Sequence, residues 1–403
     1  MRRAQMTVVC ATAAMLAASL LHTSVAGVKP PDPAGQVRFL NHANSNFDRY
    51  TQSPTGATQA WMRGHYSRML AYNPYFDTRL QWYPFAWVYQ NAYAIRPSSS
   101  HPEWILRDAN GNMLYIPWGC SNGTCPQFAG DFGSLEFRAN WIREARLALD
   151  QGYFGLFVDD VNLTWRVSDG NEKEVIPIDP RTGAPMTLTN WRRYFAEFME
   201  EIRAAFPDIE IAHNAIWYAG RADDPYIKRQ IAASDYFNLE RGATDAGLTG
   251  GAGTFGFETF LSFVDAVHAL GSGVVLMDYG SSPQQREYAL AAWFLLSNGT
   301  DLMSSDQLAW SAPGMWWAGY ELDLGDAKGQ RYSADGVLRR DFACGTVLLN
   351  QPGMPRRTVT LASPQRRIDG AQVTSVMLDA ASAVVLRTDC AKPSQDAAAA
   401  RGR

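Results

Sequence analysis

The sequence predicts a (β/α)₈ barrel followed by a small antiparallel β domain. Three observations carry that reading. From about residue 36 to residue 314, short apolar runs ending in polar residues alternate with longer stretches of helical period. Eight such runs can be counted, which favours a closed barrel over an open doubly wound sheet. Beyond about residue 315 the pattern changes to short β-type runs separated by turn residues.

Taken in order, residues 37–40 lead into Asn41 and His42, and 85–89 into Gln90 and Asn91. A weaker third run lies at 128–131 and ends at Asp131. The fourth, 155–158, is flanked by Gly and runs into Asp159 and Asp160, as a strand buried on both faces does when it reaches the surface. The fifth, 209–212, leads into His213 and Asn214; the sixth, 236–239, into Glu240; the seventh, 273–277, into Asp278 and Tyr279. A weak eighth lies at 300–303. Between them, residues 189–206 place Trp191, Tyr194, Phe195, Phe198, Ile202 and Phe206 on one helical face, with Thr189 or Asn190 as the expected cap and Pro207 as the stop. Residues 259–270, 283–298 and 140–150 behave likewise. The β domain is expected over 315–390, from runs at 319–324, 336–350, 357–361 and 373–387.

Two segments stand outside the fold. Residues 1–26 have Arg2 and Arg3, an apolar stretch and a small-residue site ending at Ala26, the pattern of a secretory signal peptide cleaved after Ala26. The expected mature protein, 27–403, is then secreted or periplasmic, with its barrel over 27–314 and no integral membrane segment; 391–403 reads as a disordered tail. Of the five cysteines, Cys10 leaves with the signal. Cys120 and Cys125 are expected to close a small disulfide loop, and Cys344 and Cys390 to form a second pair.

The formal charge is −4, and no Lys/Arg-rich run is present, so nucleic acid is an unexpected partner. No GxGxxG follows a strand and no HxH, HxxH or HExxH spacing occurs among the six His, so neither cofactor nor metal is expected. Nothing in the residues sets an oligomeric state.

In such barrels the site is built at the carboxyl ends of the strands. That places His42, Asn91, Asp159, Asp160, Asn162, His213, Asn214, Glu240, Asp278 and Tyr279 around one mouth. Amides and carboxylates match sugar hydroxyls, and aromatic faces stack on sugar rings, so Trp118, Trp165 and Trp217 are the expected cleft aromatics. Glycoside hydrolysis needs two carboxyl groups flanking the scissile bond, and Asp159 and Glu240 end strands four and six. Alternation along a strand forbids Asp159 and Asp160 both pointing inward if strand geometry persists.

The stretches GLFVDDVN (155–162), HPEWILRDANG (101–111) and RDFACGTVLLN (340–350) resemble the hypothetical glycoside hydrolase-like family numbered fifteen, with more distant similarity to endo-polygalactosaminidase barrels. The resemblance implies a secreted barrel acting on a polysaccharide, with Asp159 and Glu240 as the catalytic pair; it implies no particular sugar.

Rival readings stand beside these. A strand-end acid also serves as a helix cap or ion-pair partner, and Glu240 precedes Arg241. His42 and His213 together with Asp159 would make a metal-dependent hydrolase or deacetylase, and a non-catalytic carbohydrate-binding barrel would keep the same cleft. GLTGGAGTFG (247–256) reads as a loop closing over substrate or as a mobile connection. NLT (162–164) fits a glycosylation sequon inside the proposed cleft.

Overall fold

The computed structural model describes residues 35–388 apart from Ser100, Glu172, Arg241 and Gln307. The expected signal peptide, Cys390 with its pairing to Cys344, and the expected tail lie outside the described residues. Within them, eight parallel strands close a barrel: β1 (Phe39–Ala43), β2 (Arg68–Ala71), β3 (Ala86–Asn91), β4 (Gly155–Asp159), β5 (Glu210–Ala215), β6 (Tyr236–Leu239), β7 (Gly273–Asp278) and β8 (Leu302–Ser305). Each strand pairs with its neighbours in chain order, and β1 pairs with β8.

One barrel strand differs from expectation, and the β-type run expected at 319–324 begins instead as a 3₁₀ turn, Ala318–Glu321. The second strand is Arg68–Ala71, whereas Phe128–Ala129 makes a two-stranded antiparallel ribbon with Ala94–Ile95 in the β3–β4 connection. Arg68 is a poor marker of a buried strand until its partner is seen. Its guanidinium makes a fork-to-fork pair with Glu210 at 2.6 and 2.9 Å inside the amino-terminal end of the barrel, where Trp87 Nε1 also donates to Glu210 at 2.7 Å. Gly155 leaves room for this cluster, since a Cβ there would stand 2.5 Å from the Glu210 carbonyl oxygen and 2.6 Å from Trp87 Cδ1.

Above that floor every strand contributes one side chain to an apolar layer: Leu40, Leu70, Trp87, Phe157, Ala212, Tyr236, Val275 and Leu302. This layer plugs the barrel, so the carboxyl ends above it form a cup rather than a pore. It also fixes the inside parity of each strand. Residues an even number of steps from the layer face the cup, and those an odd number away face the surrounding helices.

The helices follow the apolar periodicity. Those used below are α1 (Gly56–His65), α2 (Leu135–Leu149), α3 (Leu188–Ala205), α4 (Pro225–Ala232), α5 (Phe257–Ala269) and α6 (Pro283–Leu296). In α3 the cap is Thr187, not Thr189 or Asn190: its hydroxyl accepts from the Asn190 amide. α6 is apolar almost all round, because one side packs on the barrel and the other on the carboxyl-terminal sheet.

That sheet contains β9 (Tyr332–Ala334), β10 (Val337–Phe342), β11 (Gly345–Asn350), β12 (Arg357–Arg366), β13 (Gln372–Leu378) and β14 (Ser382–Arg387), in the order β9-β10-β11-β14-β12-β13, all antiparallel. Polar contacts tie it to α6. Arg340 Nη1 donates to the Phe294 and Ser297 carbonyls at 2.8 and 2.7 Å, satisfying acceptors that a helix end leaves open. Glu287 accepts from the Val385 amide at 3.0 Å. The glycine-rich 247–256 loop also docks here: the Gly251 amide donates to Gln351 Oε1 at 2.8 Å, and Gln351 donates in turn to Glu258. The loop is a connection pinned to the β domain rather than a lid over the barrel mouth. Among the described residues, no helix is long and apolar enough to cross a membrane.

Candidate active site

At the carboxyl end the cup opens into a cavity of about 530 Å³. Its wall includes His42, Asn91, Asp159, Asp160, Asn162, Asn214, Glu240 and Tyr279 from among the expected residues. The inside parity explains the set: His42 lies two steps beyond Leu40, Asp159 two beyond Phe157, Asn214 two beyond Ala212, and Glu240 four beyond Tyr236.

Asn214 organises the centre. Its Nδ2 donates to Asp159 Oδ1 at 2.8 Å and to Glu240 Oε2 at 2.9 Å, so one amide bridges both carboxylates. The two bonded oxygens therefore lie within the sum of those bonds, about 5.7 Å, of each other. The amide cannot be turned over, because Asn214 Oδ1 accepts from Asn238 Nδ2 at 2.9 Å. The register between β5 and β6 sets Asn214 directly opposite Asn238. Asp159 also accepts from the Tyr89 hydroxyl and from the Asp160 amide at 2.9 Å, so three donors converge on it. Burial, then the Asp159 charge, holds the Tyr89 phenol far above its ordinary range, and it stays a donor.

Strand geometry ends at Asp159. Asp160 has φ 59°, a left-handed conformation that Asp tolerates better than most residues. The reversal brings both carboxylates to the cavity, which continued alternation would have forbidden. Asp160 is gripped by Asn91 Nδ2 at 2.6 Å and more weakly by Asn162 Nδ2 at 3.3 Å, while Arg166 Nε stands 4.0 Å away. Burial, then the neighbouring Asp159 charge, pushes its carboxyl well above the usual carboxylate range. The Asn162 amide is buried and also bonded to the Tyr93 hydroxyl at 3.0 Å, so the sequon does not present a glycan acceptor.

Several expected residues lie elsewhere. His213 and Asp278 have the outward parity of β5 and β7, and neither lines the cavity. His213 is fully buried against Phe237, and burial pushes its imidazole down to about 3. His42, which does line the cavity, is pushed down to about 4 for the same reason and has a buried, unbonded Nε2. The two histidines therefore do not converge with Asp159 on one ion, and no group of three or more metal-ligating side chains exists among the described residues. Trp217 is buried against Phe260 and Phe263, and Trp165 is half-buried with its Nε1 on the Met186 carbonyl; both support the wall from behind. Trp118, 66% exposed, is the tryptophan at the mouth, two residues before the small loop closed by the Cys120–Cys125 disulfide. Arg241, the rival partner of Glu240, lies outside the described residues. Sequence reasoning missed Tyr72, Arg96, Gln127, Arg166 and Asn238 as wall residues. Parity from the apolar layer flags Asn238 and Tyr72, two steps beyond Tyr236 and Leu70, whereas Arg96, Gln127 and Arg166 in the loops leave no such signal.

The sequence profile of hypothetical glycosyl hydrolase family 15 matches residues 65–346, which hold both bridged carboxylates. The chain belongs to this family. Hypothetical glycosyl hydrolase family 15 membership makes it a glycoside hydrolase in kind, and the closed barrel agrees with that assignment. No curated protein matches the sequence. Among solved structures, the glycoside hydrolase domain of PelA from Pseudomonas aeruginosa aligns at 14% identity and TM-score 0.41, covering 70% of this chain and 96% of that one. The α-amylase of Geobacillus thermoleovorans aligns at 11% and 0.47, over 88% and 99%. Cyclic α-maltosyl-(1→6)-maltose hydrolase from Arthrobacter globiformis aligns at 12% and 0.44, also over 88% and 99%. At these scores the neighbours carry no argument about chemistry, so the assignment rests on the family profile.

Asp278 supports a prediction about stability. It is fully buried, its Oδ2 has no partner, and burial raises its carboxyl to about 7 from an ordinary 3.8. Between pH 4 and 7 the unfolded chain has released this proton while the folded chain keeps it. Folding stability therefore declines as pH rises through that window and stays low above it. Asp278→Asn removes the decline, by about 2–4 kcal/mol at full ionisation. The variant is expected to melt several degrees above the parent at pH 8 and close to it at pH 4; parallel pH profiles would refute the assignment.

Proposed function

We infer that the protein is an exported, retaining glycoside hydrolase acting on an extracellular or cell-surface polysaccharide without a metal ion. Asp159 is the nucleophile and Glu240 the acid/base. The observation that carries this reading is the Asn214 amide, which holds one oxygen of each carboxylate within about 5.7 Å of the other. Retaining enzymes separate their carboxyl groups by about 5–5.5 Å; inverting enzymes leave about 6.5–9.5 Å for a water. Three donors around Asp159 suit an anion, and its attack on the anomeric carbon forms a glycosyl ester as the glycosidic C–O bond breaks. Glu240 gives its proton to the departing oxygen, then takes one from the water that cleaves the ester and frees Asp159. Trp118, Tyr72 and Tyr279 at the rim, with Asn91, Asn162 and His42 in the wall, supply stacking and hydroxyl partners. The signal-like leader and the Cys120–Cys125 disulfide fit an oxidising compartment.

The test is the configuration of the first product. Early ¹H NMR spectra of a cleaved oligosaccharide are expected to show the substrate's own anomer, with chelator leaving the rate unchanged. Release of the opposite anomer would refute retention, and chelator-sensitive turnover would refute metal independence.

A further inference from the structure

We propose that the cavity selects glycans carrying acidic groups, with Arg96 and Arg166 receiving the carboxylate or sulfate of a sugar bound on the β3–β4 side of the cleavage point. The proposal rests on the glycosidase reading of the cavity and adds a substrate class to it.

Arg96 follows the ribbon strand Ala94–Ile95 after β3, and Arg166 lies in the loop after β4. Both line the cavity. β3 and β4 are paired neighbours with Asn91 opposite Asp159, so the two arginines rise from the same side of the mouth. Neither guanidinium makes a hydrogen bond to another described residue; the nearest carboxylate to Arg166 is Asp160 Oδ1, at 4.0 Å. Elsewhere arginines hold the fold through paired donors, as Arg68 does with Glu210, Arg138 with Glu201 and Arg192 with Asp224. Among the described residues no partner makes such use of Arg96 or Arg166.

The charge balance of the working site favours an anion there. A retaining enzyme begins its cycle with the acid/base protonated, and burial keeps the Asp160 proton in place above the usual carboxylate range. Asp159 is then the negative group of a cavity that two guanidiniums also line, and a planar guanidinium fork matches a carboxylate or sulfate better than it matches a neutral hydroxyl. Arg96, with Asn73 and Gln127, also lines an adjoining cavity of about 710 Å³. It therefore stands where a chain leaving the catalytic cavity would place its next residue.

The experiment uses the full exported protein, with Arg96→Ala, Arg166→Ala and Arg166→Lys, on matched polymer pairs. Polyuronates are compared with their carboxyl-reduced forms, and sulfated galactans with their desulfated forms, so the two arms separate the two anions. Expected is a kcat/KM at least about tenfold higher on the acidic member of one pair. Each alanine variant should lose at least about tenfold more on that member than on its neutral twin, mainly through KM, and lysine should recover part of it. Hydrolysis that favours the neutral members, or equal losses on both, overturns the anion site and leaves the glycosidase reading standing. If nothing is hydrolysed, the glycosidase reading fails and binding by calorimetry decides the anion site. Salt-sensitive binding of an acidic polymer that is lost in both alanine variants supports it, and indifference to charge overturns it.

Discussion

Asp159→Asn is expected to lower kcat on the natural polysaccharide by about 10⁴-fold, close to 5 kcal/mol of transition-state stabilisation. The side chain keeps its shape, but an amide oxygen does not form the glycosyl ester that carries the reaction. Stability should change little. An asparagine still presents an oxygen to the Asn214 and Asp160 donors, and the Tyr89 hydroxyl can accept from its Nδ2. The loss is about 1–2 kcal/mol, three neutral bonds in place of charge-assisted ones, offset in part by no longer burying a charge. Glu240→Gln is the companion. It should fall comparably on a natural leaving group and far less on a dinitrophenyl glycoside, whose leaving group needs no proton. With that substrate the second step limits turnover, and added azide should restore the rate by attacking the ester without a base. A melting temperature that collapses in Asp159→Asn while activity per folded molecule persists would remove Asp159 from the chemistry. Equal losses of Glu240→Gln on both leaving groups would remove Glu240 from proton transfer.

These positions were legible in the sequence for an identifiable reason. An apolar run that ends in an acid says where a strand leaves a barrel wall: Asp159 closes the Gly-flanked run at 155–158, and Glu240 follows the run at 236–239. The number of strands was also legible, although one expected strand was misplaced. Arg68–Ala71 begins with a charge whose partner, Glu210, lies 142 residues away and has no local signature. Residues 128–131 look like a strand end and make only a short ribbon. Among the site residues, position after a strand proved too coarse a rule. His213 and Asn214 are neighbours, yet one faces Phe237 and the other the cavity. Asp278 and Tyr279 divide in the same way. Parity decides between them, and it becomes readable once the inward layer from Leu40 to Leu302 is known. The left-handed turn at Asp160 broke the alternation rule itself, because Asp pairs a tolerated positive φ with a side chain short enough to reach Asn91. Arg96 and Arg166 come from irregular loops, where no period assigns a direction.

The second large effect is expected at Asn214, a residue that touches both reacting carboxyl groups without exchanging a proton. Asn214→Ala removes two bonds to carboxylates, each of a kind worth about 1.5–3 kcal/mol when one partner is charged. Part of that is recovered by water entering the space, so kcat is expected to fall by about 10²-fold. KM should stay within about threefold, because the sugar contacts supplied by the rim and by Asn91 remain. Asn238 is 1% exposed and would lose the acceptor for its Nδ2, which costs about 1–3 kcal/mol of stability. Asn238→Ala separates the two effects. It leaves the Asn214 donors in place but frees that amide to turn over, so it should carry a similar stability loss with only about a tenfold fall in kcat. If Asn214 merely held the wall together, the two variants would lose activity in proportion to their melting temperatures. A kcat for Asn214→Ala no lower than that of Asn238→Ala would show that the bridging amide does not set the carboxylate pair.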